Sequence, residues 1–167
     1  MAFYVAIPLV LAAAFLQGAL PQMGPVAGVK PDLTLVLVVM AGMVLGFRRG
    51  LFLAFLAGLV LDRYSGMPFG FVTLLLMLVT SVARFPNPNL LEINPLVCML
   101  VVAPATLLYY GIYSLGVLAL GGDSDWLLVA TTVVLPTTIM NTLISPFVFG
   151  IFSLLGRKGA PVREDWS

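Results

Sequence analysis

Between Leu33 and Arg84 the chain is almost entirely apolar and carries only four charges before its last residue. They arrive as two adjacent pairs, Arg48-Arg49 within Gly46-Phe-Arg-Arg-Gly50 and Asp62-Arg63 within Leu61-Asp-Arg-Tyr-Ser-Gly66. A charge near the centre of a bilayer costs at least about 2.5 kcal/mol, so paired charges between apolar runs mark turns at membrane surfaces. The stretch is therefore expected to cross a membrane repeatedly as short helices.

Composition extends this reading to the whole chain. Of its 167 residues 61% are hydrophobic and 9% charged, with a mean hydropathy of +1.13. A soluble domain carries about 25% charged residues, far more than this chain has to solvate a surface. The expectation is an all-α integral membrane protein. The first apolar run begins almost at Met1 with no Lys or Arg before it, so it reads as a retained span rather than a cleaved signal.

Full spans need about 20 apolar residues. Residues 3–20 meet this, and the Pro- and Gly-rich segment 21–32 reads as a loop. Pro31 suits a first helical position and Asp32 a first turn. Three shorter runs follow at 32–46, 50–64 and 68–83. Fifteen residues make about 22 Å of helix against a hydrocarbon core of about 30 Å, a mismatch that snorkelling or local thinning can meet. The rival reading turns the second and third runs into a re-entrant hairpin. Longer helices at 95–120, with Asn94 as N-cap, and 126–155, capped by Asp125, complete six spans in one transmembrane domain, residues 1–155. Residues 156–167 form a short polar tail.

With the N-terminus inside, the cytoplasmic segments hold Arg48, Arg49, Arg84, Arg157, Lys158 and Arg163, and the outer segments only Lys30 and Arg63. That is a positive-inside bias, which puts both termini in the cytoplasm. No repeat of 20–50 residues is visible, which weakens a case for an inverted-repeat transporter.

Candidate functional residues are few. On the sixth span Thr131, Thr138, Asn141, Thr142 and Ser145 share one face, with Asn141 near mid-membrane. Pro136 and Pro146 free the carbonyls of Thr132 and Thr142, which nearby hydroxyls can re-satisfy. The stripe faces the bundle core, a ligand cavity or a partner helix, and not lipid. Lys30, Asp32, Asp62 and Arg63 gather at the outer surface, either as interfacial charges or as the rim of a depression or docking surface. Asp62 is the sharper candidate, with Arg63 or Lys30 as counter-charge. Tyr109 and Tyr113 share a face of the fifth span, as interfacial anchors or as a pocket wall. Small-residue pairs at Ala14/Gly18, Gly42/Gly46, Ala54/Gly58 and Gly66/Gly70 allow close helix packing.

Several chemistries are excluded. With no histidine and one cysteine, the chain has no intrachain disulfide, no Cys/His zinc site and no histidine acid–base pair. Cys98, in an apolar run, reads as a small buried hydrophobe. There is no Walker-type loop, HExxH, GxSxG or carboxylate pair placed for hydrolysis, and charge is too sparse for a nucleic-acid surface. Neither an enzyme nor a cofactor is expected.

Three segments carry a family resemblance: Lys30-Pro-Asp-Leu33 opening a span, Gly46-Phe-Arg-Arg-Gly50, and Gly58-Leu-Val-Leu-Asp-Arg-Tyr-Ser-Gly-Met-Pro-Phe-Gly70. Together with the length, the span count and the basic tail, they resemble MreD, the rod-shape-determining membrane protein family of bacteria. The resemblance implies a non-enzymatic component of the cell-elongation machinery that binds the bitopic protein MreC. The pair would link MreB filaments to RodA and its class B penicillin-binding partner in peptidoglycan synthesis. It also implies a fold like the substrate-binding subunits of energy-coupling-factor transporters. The outer rim of Lys30, Asp32, Asp62 and Arg63 is the expected partner site. The rival is a small-molecule-binding subunit like those vitamin-transporter components, and a third option is a lipid-interacting or export accessory protein.

Overall fold

The first turn of a helix leaves N–H groups without partners, and side chains that accept from them decide where helices begin. Asp32 takes the Leu35 N–H at 2.9 Å and Asn94 takes the Val97 N–H at 2.9 Å. The computed structural model describes residues 2–19, 31–84, 94–122 and 126–156, and among these every regular element is a helix. They are α1 (Ala2–Ala19), α2 (Leu33–Val44), α3 (Phe47–Asp62), α4 (Phe71–Ala83), α5 (Pro95–Ala119) and α6. The last begins as Trp126–Val129, passes through a π-helical segment Ala130–Val134, and continues as Leu135–Gly156. Lys30, Asp123, Asp125, Arg157, Lys158 and Arg163 lie outside the described residues.

Three local readings change. Asp32 is the N-cap of α2 rather than a first-turn residue, because its carboxylate bonds the third helical N–H. Arg48 and Arg49 belong to the first turn of α3: the chain reverses at Leu45–Gly46, where Gly46 adopts φ +99°. Gly46, Gly66 and Gly70 thus serve the backbone of turns, not helix packing.

α2 is the axis of the molecule. Its residues Thr34 to Gly42 are buried without interruption, as expected of a helix apolar on all sides. Around it α1, α3, α4, α5 and α6 form a ring in the order α1–α3–α4–α5–α6, closed by only a light contact between α6 and α1. Two glycines set the tightest crossings. A Cβ on Gly50 would run into the backbone of Gly42, and one on Gly58 would run into Thr73. Such close approaches hold helices together where apolar burial gives little drive. Leu35, Met40, Leu53, Leu76 and Phe152 are fully enclosed in the core.

α5 and the Leu127–Leu154 part of α6 are long and apolar enough to cross a membrane; α1, α2 and α4 are shorter apolar helices. At one end of the bundle Arg49 lies over the ring of Phe3 at 5.7 Å. At the same end Arg84 sits over Phe47 and reaches the Gly42 carbonyl at 3.4 Å. Asp62 and Arg63 mark the other end, and Asp32 lies on that side of α2.

Candidate functional site

The two carboxylates singled out by sequence are both buried, Asp62 at 5% and Asp32 at 2% exposure. Asp62 is used up locally. It ends α3, and the chain returns through Gly66 (φ +67°) and Gly70 (φ +98°) so that α4 starts directly against it. Its Oδ1 accepts the Val72 N–H at 2.8 Å. Its Oδ2 accepts the N–H groups of Gly70 at 3.1 Å and Thr73 at 3.2 Å, and the Thr73 hydroxyl. The carboxylate therefore caps the next helix in place of an N-cap side chain, where the helix dipole also favours it. Arg63, proposed as its counter-charge, is exposed and makes none of these bonds. Ser65 completes the turn, donating to the Asp62 carbonyl and accepting from Met67 N–H.

Asp32 has a different task. Its Oδ1 accepts from Leu35 N–H and from Gln17 Nε2, each at 2.9 Å, and its Oδ2 receives only the Tyr110 hydroxyl at 3.4 Å. Its backbone N–H donates to Asn141 Oδ1 at 2.8 Å, and Asn141 Nδ2 donates to Thr106 Oγ1 at 3.3 Å. Gln17 Oε1 in turn accepts from the Thr34 N–H and hydroxyl. One knot thus joins α1, α2, α5 and α6. The structure brings together Asp32 and Asn141, which sequence reading placed in separate groups.

The rest of the α6 stripe is occupied within its own helix. The Thr138 hydroxyl donates to the Val134 carbonyl, Thr142 to Thr138, and Ser145 to Thr142, whose carbonyl Pro146 leaves free. Thr138, Asn141 and Ser145 are buried and Thr142 half-buried. Thr131 leaves the stripe and is exposed. The cause is the π-helical segment, in which the Leu135 N–H reaches back five residues to the Ala130 carbonyl and rotates the preceding turn off the shared face. Thr137, absent from the expected stripe, is buried at 2% exposure.

Above the N-terminus of α2 lies a chamber of about 330 Å³. Its origin is geometric. Asn141 stands midway along α6, yet it bonds the first residue before α2, so α2, 12 residues and about 18 Å long, begins only at that depth. The ring of longer helices continues past it and leaves a partly open hollow between them. The walls come from Gln17, Asp32, Tyr64, Tyr109, Tyr110 and Tyr113, among others. Tyr113 also donates to the Ser65 carbonyl at 3.2 Å, tying the chamber to the α3–α4 turn. Tyr109 and Tyr113 are thus pocket-wall residues.

Sequence reading missed Gln17, Thr106 and Tyr110. Gln17 had a legible signal, being the one amide in an otherwise apolar helix, where an unpartnered amide is costly. Thr106 and Tyr110 had none, because threonine and tyrosine are ordinary in such helices.

Among the described residues no group of three or more metal-ligating side chains occurs. No curated protein and no solved structure matches the chain. A family model described as rod shape-determining protein MreD matches residues 1–158, from the first helix to just past α6. The match takes in the whole helical bundle, with its capped α3–α4 turn and its buried axis, and the chain belongs to the MreD family.

Proposed function

We propose that this chain is a non-enzymatic membrane scaffold of the bacterial rod-shape complex. It crosses the cell membrane six times with both termini in the cytoplasm. It binds MreC and helps couple MreB filaments to peptidoglycan synthesis by RodA and a class B penicillin-binding protein. The observation that carries this reading is the family match over residues 1–158.

The geometry supports it in three ways. Arg49 and Arg84 sit at one end of the bundle and Arg63 at the other, the distribution that the positive-inside rule favours for cytoplasmic Arg49 and Arg84. Asp62 is committed to capping a helix, which leaves it no role as acid, base or nucleophile. Among the described residues the perimeter exposes apolar side chains, including Phe55 on α3 and Leu74, Leu78 and Val82 on α4. A single-span partner would dock on such faces through close packing. Because Asp32, Asp62 and α2 are enclosed, the outer rim offers a partner Arg63 and the exposed sides of α3 and α4.

Co-expression with MreC and affinity purification in detergent tests the reading. Recovery of MreC with the chain is expected, and Arg63→Glu should lower that recovery. A monodisperse chain that never retains MreC would overturn the scaffold reading. Full recovery with Arg63→Glu would overturn the rim assignment alone. The chamber beside Asp32 favours a second reading, a small-molecule-binding subunit like a vitamin-transporter component.

A further inference from the structure

The chamber holds two groups that the fold does not use up. Tyr109 is 6% exposed, lines the chamber, and among the described residues its hydroxyl makes no hydrogen bond. Among the described residues no fully enclosed side-chain N or O atom lacks a partner, so this hydroxyl opens onto the chamber and is free to bond what enters it. Asp32 Oδ1 is saturated by two donors, but Oδ2 has only the long contact from Tyr110. The three donors favour the ionised carboxylate while burial opposes it, and among the described residues no Lys or Arg pairs with it. A buried carboxylate with no cation beside it among the described residues is costly to ionise, and a cation brought by a ligand would offset that cost.

The remaining walls suit a cation as well. Tyr109 stacks on Tyr113 at 6.2 Å and meets Tyr110 edge-on at 5.2 Å. Electron-rich aromatic faces beside a carboxylate are the recognition chemistry of organic ammonium groups. An anionic group would meet Asp32 and be repelled. Tyr110 and Tyr113 also wall a second cavity of about 150 Å³, lined otherwise by Ser114 and by the apolar side chains of Val117, Leu118, Val129 and Val133. The last of these belongs to the π-helical segment of α6. A polar chamber with an acidic wall therefore opens beside an apolar pocket.

We propose that the two cavities together bind an ammonium-bearing amphiphile, its cationic head against Asp32 and Tyr109 and its apolar part along Val117, Val129 and Val133. The ammonium could belong to a lipid head group or to a free amine, and the apolar side pocket favours the lipid.

The test uses the full chain alone in maltoside detergent, scored by native mass spectrometry and by thermal shift. Phosphatidylethanolamine is compared with phosphatidylglycerol, which has the same phosphodiester but no amine, and with spermidine. Phosphatidylethanolamine should be preferred by at least about tenfold, the scale of a charge-assisted contact in a desolvated site. Asp32→Asn should abolish the preference, and Tyr109→Phe should weaken binding about fivefold, the scale of one hydrogen bond, with the melting temperature unchanged. If Asp32→Asn does not fold, Tyr109→Phe decides. Spermidine binding that is lost in Tyr109→Phe, without discrimination between the lipids, would overturn the amphiphile in favour of a soluble amine. Equal binding of both lipids without spermidine binding, preference for phosphatidylglycerol, or a preference unchanged in the variants would overturn the site.

Discussion

Asp62 and Asp32 are both buried aspartates whose carboxylates meet a helix N-terminus, yet they do opposite things for the molecule. Asp62 closes on residues 8 to 11 positions away, and its bonds complete a self-contained turn between α3 and α4. The Asp32 carboxylate reaches a residue 78 positions away and leaves one oxygen weakly engaged toward a chamber, while its backbone N–H bonds Asn141, 109 positions away. A carboxylate whose acceptor sites are filled by neighbours in sequence is a folding device. One held by distant helices, with capacity to spare, is placed for something else. The most specific family segment, Gly58 to Gly70, is thus explained by turn construction: Gly58 admits Thr73, Gly66 and Gly70 supply the left-handed backbone, and Asp62 caps α4.

The comparison can be broken by experiment. Asp62→Ala strips the acceptor from three N–H groups and a hydroxyl, and should lose about 3 kcal/mol or more of stability, read by thermal unfolding in detergent. Gly58→Ala forces a methyl group into Thr73 and should cost about 1–3 kcal/mol by the same measurement. Asn141→Leu orphans the Asp32 N–H and should cost about 1 kcal/mol, since single interhelical polar contacts in membranes are modest. Asp32→Asn should cost less than about 1 kcal/mol, because asparagine caps helices as well as aspartate and the amide can face the Tyr110 hydroxyl. Losses as large for Asp32→Asn as for Asp62→Ala would erase the distinction between folding device and site.

The helices were legible because hydropathy and capping are local. Pro95 after Asn94, and the glycine at each turn, announce their structures within a few residues. Boundaries are less legible, because a charge pair marks a membrane surface and not the turn itself: Arg48 and Arg49 lie near the end of the bundle while already helical. The π-helical segment was invisible, because the pattern of residues 126–138 reads equally well as α-helix and only tertiary packing selects the wider turn. Half of the candidate site was legible, since Asp32 and Asn141 are polar residues in apolar surroundings. Their meeting was not, because a contact across 109 residues leaves no periodic trace. The chamber was hidden for a related reason: it depends on how deep α2 begins, which its packing against all five surrounding helices sets.

The enclosed central helix has a consequence for assembly. α2 is 12 residues long and is surrounded largely by helices made after it, of which α5 and α6 leave the ribosome last. In the six-span arrangement proposed above, so short a segment has little reason to insert alone, and its lasting neighbours do not yet exist when it emerges. The ring must close around it late, and α6 meets α1 at the lightest seam. Biogenesis then resembles the closing of a cage, with α6 as the gate, and chains arrested before α6 should be captured by membrane quality control while the axis is still open on that side.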